Sequence, residues 1–104
     1  MEHVKRIEIV TLSLEIGRLC RALEKAGISA YTVLDDARGK GDRGVRGNDE
    51  LSNVFKNSFL LTTCAPADID RVLDAIRPIL TRFGGMCLVS DAQYLVHETR
   101  DSKS

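Results

Sequence analysis

Tryptophan is absent from this sequence, and the aromatic residues come to three Phe and two Tyr. Sheets that bind single-stranded RNA stack bases on exposed aromatic side chains. Tyr31, Phe55, Phe59, Phe83 and Tyr94 form no such motif, which argues against an RNA-binding module. An excess of one charge is lacking too, because fifteen basic and fifteen acidic side chains cancel. Bulk attraction to nucleic acid or to an anionic membrane is thereby excluded, and any anion site must come from a local cluster. No apolar run approaches the roughly 18 residues of a membrane span. MEHVKRIEIV mixes acid and base before a short apolar stretch, unlike a signal peptide. The expectation is a cytoplasmic protein without direct membrane insertion.

Metal-binding and nucleophilic patterns are equally sparse. His3 and His97 are too few and too scattered to argue a metal centre. No Ser–His–Asp or Cys–His arrangement is identifiable. Cys20, Cys64 and Cys87 are odd in number, have no CxxC spacing, and each lies in an apolar pattern. They are expected to be buried free thiols of a reducing compartment.

What is present fits one domain spanning residues 1–104, with 43% hydrophobic and 29% charged residues. Ile7 and Ile9 alternate with Arg6 and Glu8, the pattern of a half-buried strand. From Ser13 the period becomes helical through Ile16, Leu19, Cys20, Leu23 and Ala26, and Gly27 stands where a helix stops. Ile28 to Leu34 is rich in β-branched and aromatic residues and reads as a second strand. The order then repeats. SFLLTTC (58–64) is a strand, and Pro66 and Asp68 open a helix striped by Ile69, Val72, Leu73, Ile76 and Leu80. Pro78 is expected to kink that helix or end its regular part early. Gly84 and Gly85 break the chain before a strand from Met86 to Ser90. Asp91 and Ala92 suggest a tight turn into a short last strand, Gln93–His97, before a polar tail at 98–104 expected to be flexible. The fold class is α+β. It is a ferredoxin-like βαββαβ sandwich with a long loop between the central strands and an added short C-terminal strand.

That long loop carries the chemistry. In YTVLDDARGKGDRGVRGNDE (31–50), Gly39, Gly41 and Gly44 permit positive φ, so that backbone N–H groups can converge on an anion. Arg38, Lys40, Arg43 and Arg46 supply charge, and an arginine can grip a phosphate with two hydrogen bonds. GKGDRG lacks the full Walker spacing and on composition alone reads as a solvated, flexible loop. Adjacent Asp35 and Asp36 point apart on an extended strand, so they read as solvated loop acids rather than a shared catalytic or magnesium site. Tyr31, Thr32 and Val33 read as ordinary strand packing on β propensity.

The whole pattern resembles the PII signalling superfamily. GISAYTV (27–33) is similar to the family's entry into its second strand, residues 36–54 correspond to its T-loop, and Phe83-Gly84-Gly85 falls at its B-loop. MCLVSDAQYLVH is similar to the end of the family's core. The strand exit and GKGDR look closer to carbon-regulatory relatives, associated with bicarbonate transporters and carboxysomes, than to nitrogen-sensing members. The resemblance implies a homotrimer with adenine nucleotides in the clefts between subunits and a T-loop that docks on a partner.

Residue by residue, it points to base contacts from Ala30, Tyr31, Thr32 and Val33, with Thr62, Thr63 and Cys64 closing the pocket. Further nucleotide contacts would come from Gly39, Lys40, Gly41, Arg43, Arg46, Gly84, Gly85, Met86 and His97, and Gly39, Lys40 and Gly41 would take bicarbonate. Leu51 stands where nitrogen-sensing relatives often have a modifiable tyrosine, which argues against uridylylation. Met86 replaces a phosphate-binding lysine, and His97 and Thr99 replace basic positions. ADP or AMP is therefore favoured, with ATP and cyclic AMP as further ligands. The implied partner is a bicarbonate transporter or another membrane transport protein. No catalytic set, metal or prosthetic group is expected. A slow nucleotide phosphohydrolase and a nitrogen-type PII regulator are the alternatives.

Overall fold

β1 (Glu2–Leu12) is built on the alternation seen in the sequence: Ile7, Ile9 and Thr11 turn inward and are buried, while Arg6, Glu8 and Val10 turn the other way. The computed structural model describes residues 1–37 and 56–97. A 3₁₀ turn at Ser13–Glu15 leads into α1 (Ile16–Lys25), which inserts Leu19 and Leu23 fully into the core. Its end is set by Gly27 at φ 97°. The Gly27 N–H donates to the Glu24 carbonyl and the Ile28 N–H to the Leu23 carbonyl, while Ile28 and Leu23 share the core cluster. That is a Schellman closure with its hydrophobic contact.

β2 (Tyr31–Ala37) and β3 (Asn57–Cys64) come next, then a 3₁₀ turn at Pro66–Asp68, α2 (Ile69–Phe83) and β4 (Met86–Tyr94). The sheet order is β2-β3-β1-β4, and every pair is antiparallel. This is the expected α+β ferredoxin-like arrangement. Ile7, Ile9, Leu19, Leu23, Leu60, Val72 and Ile76 form its centre between helices and sheet, each burial contributing about 1.5–3 kcal/mol.

Two expectations need correction. Pro78 does not end α2, which continues to Phe83. Its ring lies on the exposed side, so the carbonyl deprived of a donor faces water while Ile76 and Ile79 hold the inner side. The separate short strand at Gln93–His97 is also absent: Asp91 and Ala92 lie inside β4, paired with Lys5 and Val4, and Leu95–His97 form no strand. Lys5 donates to Asp91 at 2.5 Å, and this contact holds the carboxyl below its usual range. The unbroken ladder with β1 thus keeps extended an acidic position that local sequence would turn.

On the face of the sheet away from the helices, an apolar patch lies beside Arg6 and Glu8. Register places Val10, Phe59, Leu34, Leu61, Met86 and Leu88 on it. Leu34, Met86 and Leu88 are about half exposed, at 58%, 49% and 53%.

Candidate functional site

The predicted residues fall into two groups at opposite ends of the sheet. At one end, the start of β2 meets the end of β3 through the register Tyr31 to Thr62. The Thr62 hydroxyl donates to the Ala30 carbonyl at 2.7 Å, fixing the entry to β2. Beside it opens a cleft of about 270 Å³, lined by Gly27–Ala30, Thr63–Ala65, Asp68 and Arg71. Ala30, Thr63 and Cys64 therefore share one cavity wall. Burial pushes the Cys64 thiol up, which disfavours the reactive thiolate.

Within this group the side chains diverge as a strand requires. Tyr31 turns toward the helices, and its hydroxyl donates to Glu24 at 2.6 Å. That bond, with a smaller contribution from Cys20, holds the phenol above its ordinary range. Val33 packs against the core on the same side, and Thr32 lies on the opposite, exposed face. His97 is exposed beyond the end of β4.

The second group is the turn between α2 and β4. Gly84 (φ 83°) and Gly85 (φ 129°) both have the positive φ that L side chains rarely adopt. The Gly84 carbonyl accepts from the Thr11 hydroxyl at 3.1 Å. Met86 sits opposite Val10, half exposed on the open sheet face. Cys64 pairs with Lys5, whereas Met86 pairs with Val10, so five residues of β1, about 17 Å, separate the groups. One protomer does not bring them together. Gly39, Lys40, Gly41, Arg43 and Arg46, with the rest of 38–54 and all of 98–104, lie outside the described residues.

Sequence reasoning missed Arg71 and the root of the loop. Arg71 donates to the Ala26 carbonyl and to Asp68, each at 3.1 Å, which fixes its guanidinium against the cleft. The Asp68–Arg71 spacing on the first turn of a helix was the available signal. At the loop root, Asp35 and Asp36 are not simply solvated: Asp35 accepts from Ser58 at 2.9 Å, and Asp36 pairs with Lys56 at 3.4 Å. Of the three free cysteines, Cys64 is buried and Cys20 and Cys87 are half-buried. Among the described residues no group of three or more His, Cys, Asp or Glu is placed to hold a metal ion, and no helix is long and apolar enough to cross a membrane.

A family model described as nitrogen regulatory protein P-II matches residues 4–99. No curated protein matches the chain. Among solved structures, the chain is similar to CPII, a nitrogen regulatory PII-like protein from Thiomonas intermedia K12 bound to ADP, AMP and bicarbonate. The TM-score is 0.75 at 19% identity, covering 92% of this chain and 97% of that one. A PII-like signalling protein from Thermus thermophilus aligns with a TM-score of 0.69 at 25% identity, over 90% and 91% of the two chains. The GlnK–ATP complex of B. subtilis aligns with a TM-score of 0.63 at 20% identity, over 88% and 84%.

Proposed function

Since the chain belongs to the nitrogen regulatory protein P-II family, we propose that it is a non-enzymatic, carbon-regulatory signalling protein that binds adenine nucleotides, with ADP and AMP favoured, and bicarbonate. The single observation carrying this reading is that CPII, a near full-length structural match, is itself bound to ADP, AMP and bicarbonate. The ligands lie in clefts between subunits of a cytoplasmic homotrimer. Each cleft takes Ala30–Val33 and Thr62–Cys64 from one copy and Gly84–Met86 from another. Two copies are required because these groups lie about 17 Å apart within one. The apolar open face of the sheet supplies the surface that copies bury.

The segment 36–54 acts as a T-loop. Its glycines let backbone N–H groups cradle phosphate and bicarbonate at Gly39, Lys40 and Gly41, and Arg43 and Arg46 neutralise the ligand's charge. Met86 offers no cation where a third phosphate would need one, so shorter phosphate chains are preferred. Ligand binding favours one loop state over another, and that state binds or releases a bicarbonate transporter or a component of carboxysome-linked metabolism. Calorimetric titration with AMP, ADP, ATP and cyclic AMP, each with and without bicarbonate, tests this. Tightest binding of ADP or AMP with no phosphate release is the expected result. Steady release of phosphate would instead favour a slow phosphohydrolase.

A further inference from the structure

We propose that Ser13, Ser58 and Asp35 form a positioning clamp where β2 releases the chain toward segment 38–55, and that Thr11 couples this clamp to the Gly84–Gly85 turn. The inference rests on the proposed function only in the identity of the ligand sensed at that turn.

The ladder between β2 and β3 slips between Leu34 and Ala37, so Asp35 and Asp36 together face Ser58. Such a bulge bends a strand and re-aims the chain beyond it. Asp36 carries the strain at φ 60°, the one positive φ at a non-glycine residue among the described residues. A chain of hydroxyls holds the bulge. Ser58 donates to the Asp35 carboxylate at 2.9 Å, and the Ser13 and Ser58 hydroxyls are 2.7 Å apart. An ionised carboxylate only accepts, and Ser58 has one proton, so Ser13 must be the donor to Ser58. The Ser13 N–H also donates to the Lys56 carbonyl at 2.8 Å, which ties the start of β3 to the same point.

Coupling arises from Thr11. It is the cross-strand partner of Ser58, and both are buried, at 1% and 0% exposure. Its hydroxyl donates to the Gly84 carbonyl, and its Cβ would lie 3.2 Å from a Cβ built on Gly85. The turn therefore rests on Thr11, and Thr11 rests beside the buried centre of the clamp. Water does not reach Ser58 to replace a broken bond, so the clamp has two discrete states, made and broken.

Amide hydrogen exchange on the full chain, without ligand, tests the clamp directly. Asp35→Ala and Ser58→Ala should each speed exchange at Ala37 and Asn57 about tenfold, the loss of one partly buried hydrogen bond to a charged group. Thr32 and Leu61, further along the same ladder, should stay within about twofold. Asp35→Asn keeps an accepting oxygen and should restore protection to within about threefold of wild type. Asp35 is exposed, so its replacement leaves the core intact and the test does not hang on Ser58. Thr11→Val should also speed exchange at Asn57, and Thr11→Val with Ser58→Ala should exchange no faster than Ser58→Ala alone. Wild-type exchange in Asp35→Ala would overturn the clamp, and additive effects of Thr11 and Ser58 would overturn the coupling. A parallel arm with ADP separates the two readings: failure of wild type to bind ADP sinks the nucleotide assignment and leaves the ligand-free results standing.

Discussion

Gly85 is packed so closely on β1 that a Cβ built on it would lie 2.6 Å from the Val10 carbonyl oxygen. The obstacle is backbone, which cannot swing aside. Its φ of 129° would strain an L-residue as well. Gly85→Ala is therefore expected to destabilise the fold by about 2–4 kcal/mol, combining clash and strain. Urea unfolding with an unchanged m-value would measure it, and a loss under about 1 kcal/mol would contradict the close approach.

Asp36 offers a second check on the backbone. At φ 60° a short polar side chain is tolerated, whereas a β-branched one is not. Asp36→Val should cost about 1–2 kcal/mol, and Asp36→Gly should be close to neutral, because relief of strain offsets added freedom in the unfolded chain. The Lys56 pair is exposed and contributes little to the difference. Equal stability of the Val and Gly variants in thermal unfolding would show that the left-handed position is not maintained in solution.

Tyr31 and Glu24 supply a titration signature. Donation to Glu24 favours the neutral phenol, so Tyr31 should ionise above the ordinary value of about 10. With a raised folded pKa, the stabilisation is complete below the unfolded value near 10 and is lost as pH climbs through the folded one. An ultraviolet titration of the two tyrosines should contain a late alkaline phase, absent in Tyr31→Phe and shifted downward in Glu24→Gln. A late phase that survives Tyr31→Phe would assign it elsewhere.

The alternation of Ile7 and Ile9 and the helical stripe from Ile16 to Leu23 were legible in the sequence, because burial on one face repeats with the local period. The layered fold could be built from those elements and their order. Failures came where a partner distant in sequence decides the outcome. Asp91–Ala92 reads as a turn until Lys5 is placed opposite, and Pro78 reads as a kink or an early end until its exposed position is known. The candidate site was legible in part. Ala30, Thr63 and Cys64 do converge on one cleft, but Arg71 reaches it from the second helix, by way of Asp68 and Ala26. Gly85 was read as a chain break and a nucleotide contact, while its packing against Val10 is a separate demand that depends on the fold.

Assembly is the next expectation. Light scattering should give about three times the 11.5 kDa chain mass, the ratio of a closed cyclic trimer. Leu88 is half exposed on the apolar face, and Leu88→Glu would bury a charge in that contact. The variant should run at the mass of one chain while keeping its far-ultraviolet dichroism. A monomeric wild type at micromolar concentration would remove the two-copy cleft, and a trimeric Leu88→Glu would move the interface off this face.

Bicarbonate gives the most discriminating test of the carbon-regulatory reading. It is a compact monoanion with planar oxygens, which converging backbone N–H groups beside a lysine or arginine can hold, and the proposed site for it is Gly39, Lys40 and Gly41. A nucleotide phosphate close by would repel it unless Lys40, Arg43 or Arg46 lies between the two charges. If those cations do, each anion prepays the ordering of the loop for the other, and coupling is positive, about 1–3 kcal/mol. ADP should therefore bind roughly 5- to 150-fold more tightly when bicarbonate replaces chloride at constant pH and ionic strength. By reciprocity, bicarbonate must gain the same factor from ADP. An ADP dissociation constant indifferent to the exchange, with unchanged tryptic cleavage at Arg38, Lys40, Arg43 and Arg46, would defeat the bicarbonate assignment. The adenine-nucleotide assignment would then be judged on its own titrations.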